Sequence, residues 1–218
     1  MEFFTKPHIE GYKLLSPLGA GGMGVVYRAK RLSDGRELAI KILRSYEPAV
    51  LARLRREIVV SKTLNHPNIV RIIDSGVDEN PFIAMELIRG ETLDDLKFIS
   101  EAFAIKLIEQ ISSALSYIHA KDLVHRDIKP SNIMLSEKEH FYLLDFGLSL
   151  DKNATRMTET NNIVGTFTSL APEQLTLSRI GPYTDIYQLG VTVYQLLTGK
   201  FPFDRARLLA CASGYGLK

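Results

Sequence analysis

The sequence predicts an α+β chain in two lobes, a small strand-rich lobe followed by a larger, mainly helical one. Three observations carry this reading. Short apolar runs, "YKLLSPL", "GVVYRAK", "ELAIKIL", "IVRIID" and "FIAMEL", fill the first part, with Gly, Asp, Asn or Pro between most of them. From Gly90 onward the apolar residues recur with a helical period instead. Between the two, near Met85 to Gly90, the composition shifts without any low-complexity linker. A chain of 218 residues, 45% of them hydrophobic, suffices for one core or two small ones.

The first two runs flank "LGAGGMGVV", where Gly19, Gly21 and Gly24 stand in G-x-G-x-x-G spacing. Glycines let a backbone approach a phosphate closely and present bare N–H donors. By itself the spacing fits an ordinary glycine-rich hairpin equally well. A dinucleotide fingerprint is disfavoured, because that motif runs strand, turn, helix, and here a strand follows. The third run contains Lys41 in "LAIK". It reads either as an edge-strand lysine reaching solvent or as a cation aimed inward at phosphate oxygens.

A helix should come next, with Pro48 in its first turn. Val50, Leu54, Ser61 and Leu64 share one face of it with Glu57. A charge on an apolar face needs a partner, which suggests an internal Lys41–Glu57 ion pair. In the second lobe, Ala104, Ile108, Ile111, Leu115 and Ile118 follow a 3.6-residue period over several turns. "DIYQLGVTVYQLL", Asp185 to Leu197, is apolar nearly all round and should be buried.

Between those two helices, "LVHRDIKPSNIML" gathers Asp127, Lys129 and Asn132 within six residues of a loop. Further on, "LLDFGLS" places Asp145 after an apolar strand. An acid there serves as a turn former, or, taken with Asn132 and Asp127, as a ligand for a divalent ion such as Mg²⁺, which prefers hard oxygen donors.

The totals exclude several classes. A net charge of +2 with no long single-sign run argues against nucleic-acid and membrane-surface binding. No apolar run approaches a membrane span. The opening "MEFFTKPHIEGYKLL" lacks the shape of a signal peptide. One cysteine, Cys211, rules out an internal disulfide framework and fits a cytoplasmic setting.

Taken in order, "GAGGMGVV", "LAIK", "HPN", "HRDIKPSN", "DFG", "APE" and "DIYQLG" resemble a eukaryotic-type (Hanks-type) serine/threonine protein kinase catalytic domain, of the sort also found in bacteria. The resemblance covers residues 12–203. It implies a bilobal protein-kinase-like fold, an antiparallel N-lobe over 12–88 and a mainly helical C-lobe over 89–203, with ATP between the lobes.

It also implies roles. Asp127 orients the substrate hydroxyl and accepts its proton; Lys129 lies over the transferred phosphate and resembles Ser/Thr kinases more than Tyr kinases. Asn132 and Asp145 hold Mg²⁺, and Lys41, paired with Glu57, holds the α/β-phosphates. The glycine loop, Gly19, Ala20, Gly21, Gly22, Met23, Gly24 and Val25, covers the phosphates. Leu18, Val26, Ala39, Met85, Glu86, Ile88 and Met134 match positions around adenine, although Met134 serves equally as ordinary core.

The implied partners are ATP and Ser/Thr-bearing proteins. Two other classes remain conceivable: a non-catalytic nucleotide-binding or scaffold fragment, and a small-molecule phosphotransferase, which the "GT…APE" segment disfavours.

Three departures from the family pattern bear on docking and stability. Ser169 stands before "APE" where the family usually has tyrosine. Positions acidic in Arg-directed members read Thr92, Ser131 and Gln195. The family continues through further helices where residues 204–218, an atypical tail, stand here. This predicts an incomplete C-lobe, with Glu173 deprived of its arginine, the Asp185–Leu197 helix short of cover and room for a partner that supplies that cover. In the family, an arginine before the aspartate, here Arg126, goes with control by phosphate in the following segment, where Thr155, Thr158 and Thr160 stand; these threonines serve equally as plain loop surface.

Overall fold

The computed structural model describes residues 7–21, 24–43, 58–76, 80–144, 169–175 and 179–203. The chain divides into two compact units, Met1–Asn65 with Val70–Arg89, and His66–Ile69 with Gly90–Lys218.

In the first unit, β1 (Tyr12–Gly21), β2 (Gly24–Arg31), β3 (Glu37–Leu43), β4 (Ile72–Gly76) and β5 (Phe82–Glu86) form an antiparallel sheet ordered β1-β2-β3-β5-β4. Alternation along the strands sorts the side chains onto two faces. Tyr27 pairs with Ile40 and Ile40 with Ala84, and this row joins Ile9, Tyr12, Ala29, Leu38 and Ile42 in the core. The opposite face carries the row Val26–Lys41–Ile83 and the row Arg28–Ala39–Met85. A slip of one residue would exchange the two faces, so the apolar pattern also fixes where Lys41 points.

The Tyr12 hydroxyl donates to Asp74 Oδ2 at 2.8 Å, and Lys62 lies 3.6 Å from Oδ1 of that carboxylate. Burial, followed by the Asp74 contact, pushes the Tyr12 phenol up to about 12. Residues 58–62 are helical (α1). Ser61 is buried as expected, but Leu64 is buried from the loop beyond the helix, where its N–H donates to the Ser61 carbonyl. Pro48, Val50, Leu54 and Glu57 lie outside the described residues. The strand expected from Ile69 begins at Ile72, because Ile69 instead bridges in parallel to Leu143.

The second unit is not only helical. A small sheet, β6 (Gly90–Thr92), β7 (Ile133–Ser136) and β8 (Phe141–Leu143), accompanies helices α2 (Glu101–His119), α3 (Pro172–Leu175) and α4 (Pro182–Thr198). Strand β6 is too short to show a period, so only pairing reveals it. Gly90 has φ +157°, and a Cβ there would collide with the Leu135 carbonyl, so this position requires glycine.

Helix α2 starts at Ser100, whose hydroxyl accepts the Phe103 N–H at 3.2 Å. Its buried face is Ala104, Leu107, Ile111, Ala114, Leu115 and Ile118. Ile108 is 41% exposed, contrary to the expected stripe, because the stripe is centred toward Leu107 and leaves Ile108 at its edge.

The "HPN" turn packs between α2 and β8. Buried Asn68 donates from Nδ2 to Gln110 Oε1 and to the Phe141 carbonyl, each at 2.9 Å. Gln110 Oε1 also accepts the Phe141 N–H at 2.8 Å. His66 Nδ1 accepts the Asn68 N–H at 3.1 Å, which places the ring proton on Nε2, 3.1 Å from Ser113 Oγ.

Helix α4 begins with Pro182 in its first turn and ends at Gly199, left-handed at φ +70°. It is not buried all round. Thr184, Asp185, Gln188, Leu189, Val191, Thr192, Val193 and Leu196 are buried, while Ile186, Tyr194 and Leu197 are exposed. Half of that buried face is polar, which hydropathy alone could not anticipate. The Glu173 carboxylate accepts the Thr184 hydroxyl on Oε1 at 2.5 Å. Among the described residues no helix is long and apolar enough to cross a membrane.

Gly90→Ala should destabilise the fold by about 1–3 kcal/mol, through a strained backbone and a displaced β7. A urea titration showing an unchanged midpoint would contradict the close approach. His66 offers a pH test. Burial, followed by the charge of nearby His140, holds its imidazole below the ordinary 6.5. The unfolded chain therefore takes up the proton first, so this contribution to stability is complete above 6.5 and is lost as pH falls through the folded value. Replacing His66 with Gln should flatten the fall in urea midpoint between about pH 7 and 5.

Candidate active site

The loop from His125 to Asn132 is held mainly by its backbone, and the side chains project from that framework. Asp185, fully buried on α4, accepts the His125 N–H at 2.9 Å on Oδ2 and the Arg126 N–H at 2.7 Å on Oδ1. His119 Nε2 lies 2.8 Å from the same Oδ2. A buried carboxylate demands such donors, and backbone N–H groups are donors that cannot rotate away. Arg126 sits at φ +71°, a costly conformation for a residue with a side chain, and the surrounding bonds hold it there.

His125 is fully buried. Its Nδ1 accepts the Asp127 N–H at 3.3 Å, so Nε2 carries the proton and donates to the Leu144 carbonyl at 2.8 Å. The Leu144 N–H in turn donates to the Asn132 carbonyl at 2.9 Å. The end of β8 is thereby fastened to both ends of the loop.

Three predicted residues meet here. Asp127 Oδ2 lies 2.9 Å from Lys129 Nζ and accepts Asn132 Nδ2 at 2.9 Å. Asn132 Nδ2 also donates to the Asp127 carbonyl at 2.7 Å. The amide nitrogen of Asn132 is thus committed to Asp127, and its Oδ1 remains as a hard oxygen donor suited to a divalent cation. Asp127 Oδ2 faces two donors, and Oδ1 has no hydrogen-bond partner among the described residues. Lys129 places a positive charge directly beside the Asp127 carboxylate.

Of the remaining predicted residues, Met134 belongs to the second unit, and the others belong to the first unit or fall outside the described residues. Gly19 pairs with Val26, Ala20 with Val25 and Gly21 with Gly24 across the β1–β2 hairpin. Gly24, at φ +155°, has a structural reason to be glycine, since a Cβ would strike the Ile42 carbonyl. A Cβ on Gly19 or Gly21 would meet nothing within 4 Å. Their lack of side chains is therefore unexplained by packing and fits a loop kept bare for an incoming anion.

Lys41 is 6% exposed on β3, between β2 and β5, so it is not an edge-strand lysine. Val26, Ala39 and Met85 share its face of the sheet. Leu18 is 53% exposed at the hairpin. The Glu86 carboxylate accepts the Arg71 N–H at 2.8 Å, and Ile88 lies two residues past the end of β5. Met134 pairs with Tyr142 in the second unit. Gly22, Met23, Glu57, Asp145 and the threonines at 155, 158 and 160 lie outside the described residues.

Sequence reasoning missed Asp185 and Gln188 as members of this site. Hydropathy assigns both to an apolar helix. The available signal was a carboxylate and an amide recurring on the face that also bears Leu189 and Thr192.

The Protein kinase domain family matches residues 12–210. The chain is 38% identical over 201 residues to the serine/threonine-protein kinase PrkC of Bacillus subtilis, covering 88% of this chain and 31% of that protein. It is 37% identical over 220 residues to a probable serine/threonine-protein kinase PknB of Bifidobacterium longum, covering 92% and 32%. It is 34% identical over 220 residues to the serine/threonine-protein kinase pkn3 of Myxococcus xanthus, covering 93% and 40%. The chain spans roughly a third of the length of these relatives. Ordered motifs, a catalytic-type loop held by α4 and a match over nearly the whole chain lead to one conclusion: this chain belongs to the protein kinase domain family.

Proposed function

We propose that the chain transfers the γ-phosphoryl group of ATP to serine or threonine hydroxyls of protein substrates, with Mg²⁺ as the metal, in the cytoplasm. The observation that carries this reading is the Asp127–Lys129–Asn132 cluster, with one carboxylate oxygen saturated and the other left for a hydroxyl. The names of the relatives support serine and threonine as acceptors.

In this reading the substrate hydroxyl sits against Asp127 Oδ1. Its oxygen attacks the γ-phosphorus, its proton passes to Asp127, and ADP leaves with the electrons of the broken P–O bond. Lys129 offsets charge on the transferred group. Lys41 grips the α/β-phosphates from the sheet face that also presents Val26, Ala39 and Met85 to the adenine. Asn132 Oδ1, together with Asp145 by resemblance, would hold Mg²⁺, which when bound neutralises phosphate oxygens. The bare glycine hairpin leaves backbone N–H groups for the phosphates.

Asp127→Asn should lower kcat by about 10²–10⁴-fold while ATP affinity stays within about twofold, since this group acts on the hydroxyl and not on the nucleotide. Phosphoamino-acid analysis of a labelled acceptor should find phosphoserine or phosphothreonine; wild-type turnover in the variant would refute the role of Asp127. Gly21→Ala makes a separate test. A Cβ there meets nothing in the protein, so the melting temperature should hold while KM for ATP rises. An unchanged KM would mean that the hairpin does not approach the nucleotide.

A further inference from the structure

Gln188 and Gln174 are among the most buried polar residues described, at 0% and 4% exposure, and the phosphoryl-transfer scheme above gives neither a part. A buried primary amide carries two N–H donors and one carbonyl acceptor, and each must be matched. Gln188 on α4 matches all of its groups at one place. Its Oε1 accepts the Ile128 N–H at 3.0 Å, and its Nε2 donates to the Arg126 carbonyl at 3.1 Å and to Gln174 Oε1 at 2.8 Å.

The two backbone groups it grips belong to the peptide planes on either side of the Asp127 Cα. The Arg126 carbonyl lies in the plane before it and the Ile128 N–H in the plane after it. Fixing both planes fixes φ and ψ of Asp127, and with them the direction of its Cβ. No carboxylate could do this, for want of a donor.

Gln174 settles which way the Gln188 amide faces. Its Oε1 already accepts the Ala171 N–H at 2.9 Å, and its Nε2 donates to the Arg126 carbonyl at 3.0 Å. The only Gln188 atom that can face Gln174 Oε1 is therefore the amide nitrogen, which turns Oε1 toward Ile128. The chain is fully bonded from Ala171 through both glutamines to the loop.

We propose that Gln188, oriented by Gln174, is a positioning residue that aims Asp127 by clamping both peptide groups beside it. This rests on the kinase reading, and acts through Asp127 without touching substrate.

The test uses the whole chain with Gln188→Met, of similar length but without hydrogen-bonding groups, and Gln188→Glu. In Gln188→Met, kcat should fall about tenfold or more and KM for ATP stay within about twofold, since misplacing a reactive group costs rate and not nucleotide binding. Amide hydrogen exchange at Ile128 should accelerate, with α2 unchanged. In Gln188→Glu, the ratio of variant to wild-type kcat should rise as pH falls from about 8 to 6, because only the protonated carboxyl can donate to the Arg126 carbonyl.

Wild-type kcat in the Met variant, or unaltered exchange at Ile128, overturns the proposal. If the Met variant fails to melt cooperatively, the Glu variant decides, and a loss that acid does not restore counts against the clamp. A wild-type chain that transfers no phosphate would sink the kinase reading separately. The exchange rates would still say whether Gln188 holds the loop.

Discussion

The buried carboxylate of Asp185 organises the second unit. Removing a charge from water costs several kcal/mol unless donors replace the water, and here the donors are the backbone N–H groups of His125 and Arg126, with His119 alongside. The requirement runs both ways. The amides of His125 and Arg126, which belong to no helix or strand, need acceptors, and a left-handed Arg126 needs restraint. One side chain meets both needs, so the loop that bears Asp127 is anchored to α4.

The same economy explains the polar half of α4. Thr184, Asp185, Gln188 and Thr192 occupy buried positions that hydropathy would assign to leucine or valine. Asp185 and Gln188 hold backbone of the His125–Asn132 loop, the Thr192 hydroxyl reaches the Ile128 carbonyl at 3.4 Å, and Thr184 supports Glu173. A helix that spends its inner face on hydrogen bonds packs less apolar area, and it gains in return one defined loop geometry.

In the first unit the controlling constraint is the pleat. Ile40 and Ile42 point into the core with Ala84 and Leu38, so Ala39 and Lys41 must point the other way. The lysine is held by neighbours on both sides of a central strand and is not free to snorkel from an edge. Ala39 leaves room beside it, and Gly24 allows the β1–β2 hairpin to lie against Ile42.

Much of this could be read from the sequence because it is local. Strand β3 was delimited at Glu37–Leu43 by its apolar run, and the grouping of Asp127, Lys129 and Asn132 follows from a spacing of a few residues. The helical period found α2 but misjudged its face at Ile108, since one apolar residue more or less shifts the centre of a stripe that only packing defines. Strand β6 is three residues long and has no local signature at all. The sequence by itself determined the chemistry available and the alternation that aims Lys41. Only the tertiary structure decided how Asp127 is aimed. The groups that hold its loop, Asp185 and Gln188, stand about sixty positions away along the chain, and no local pattern carries a hydrogen bond of that span.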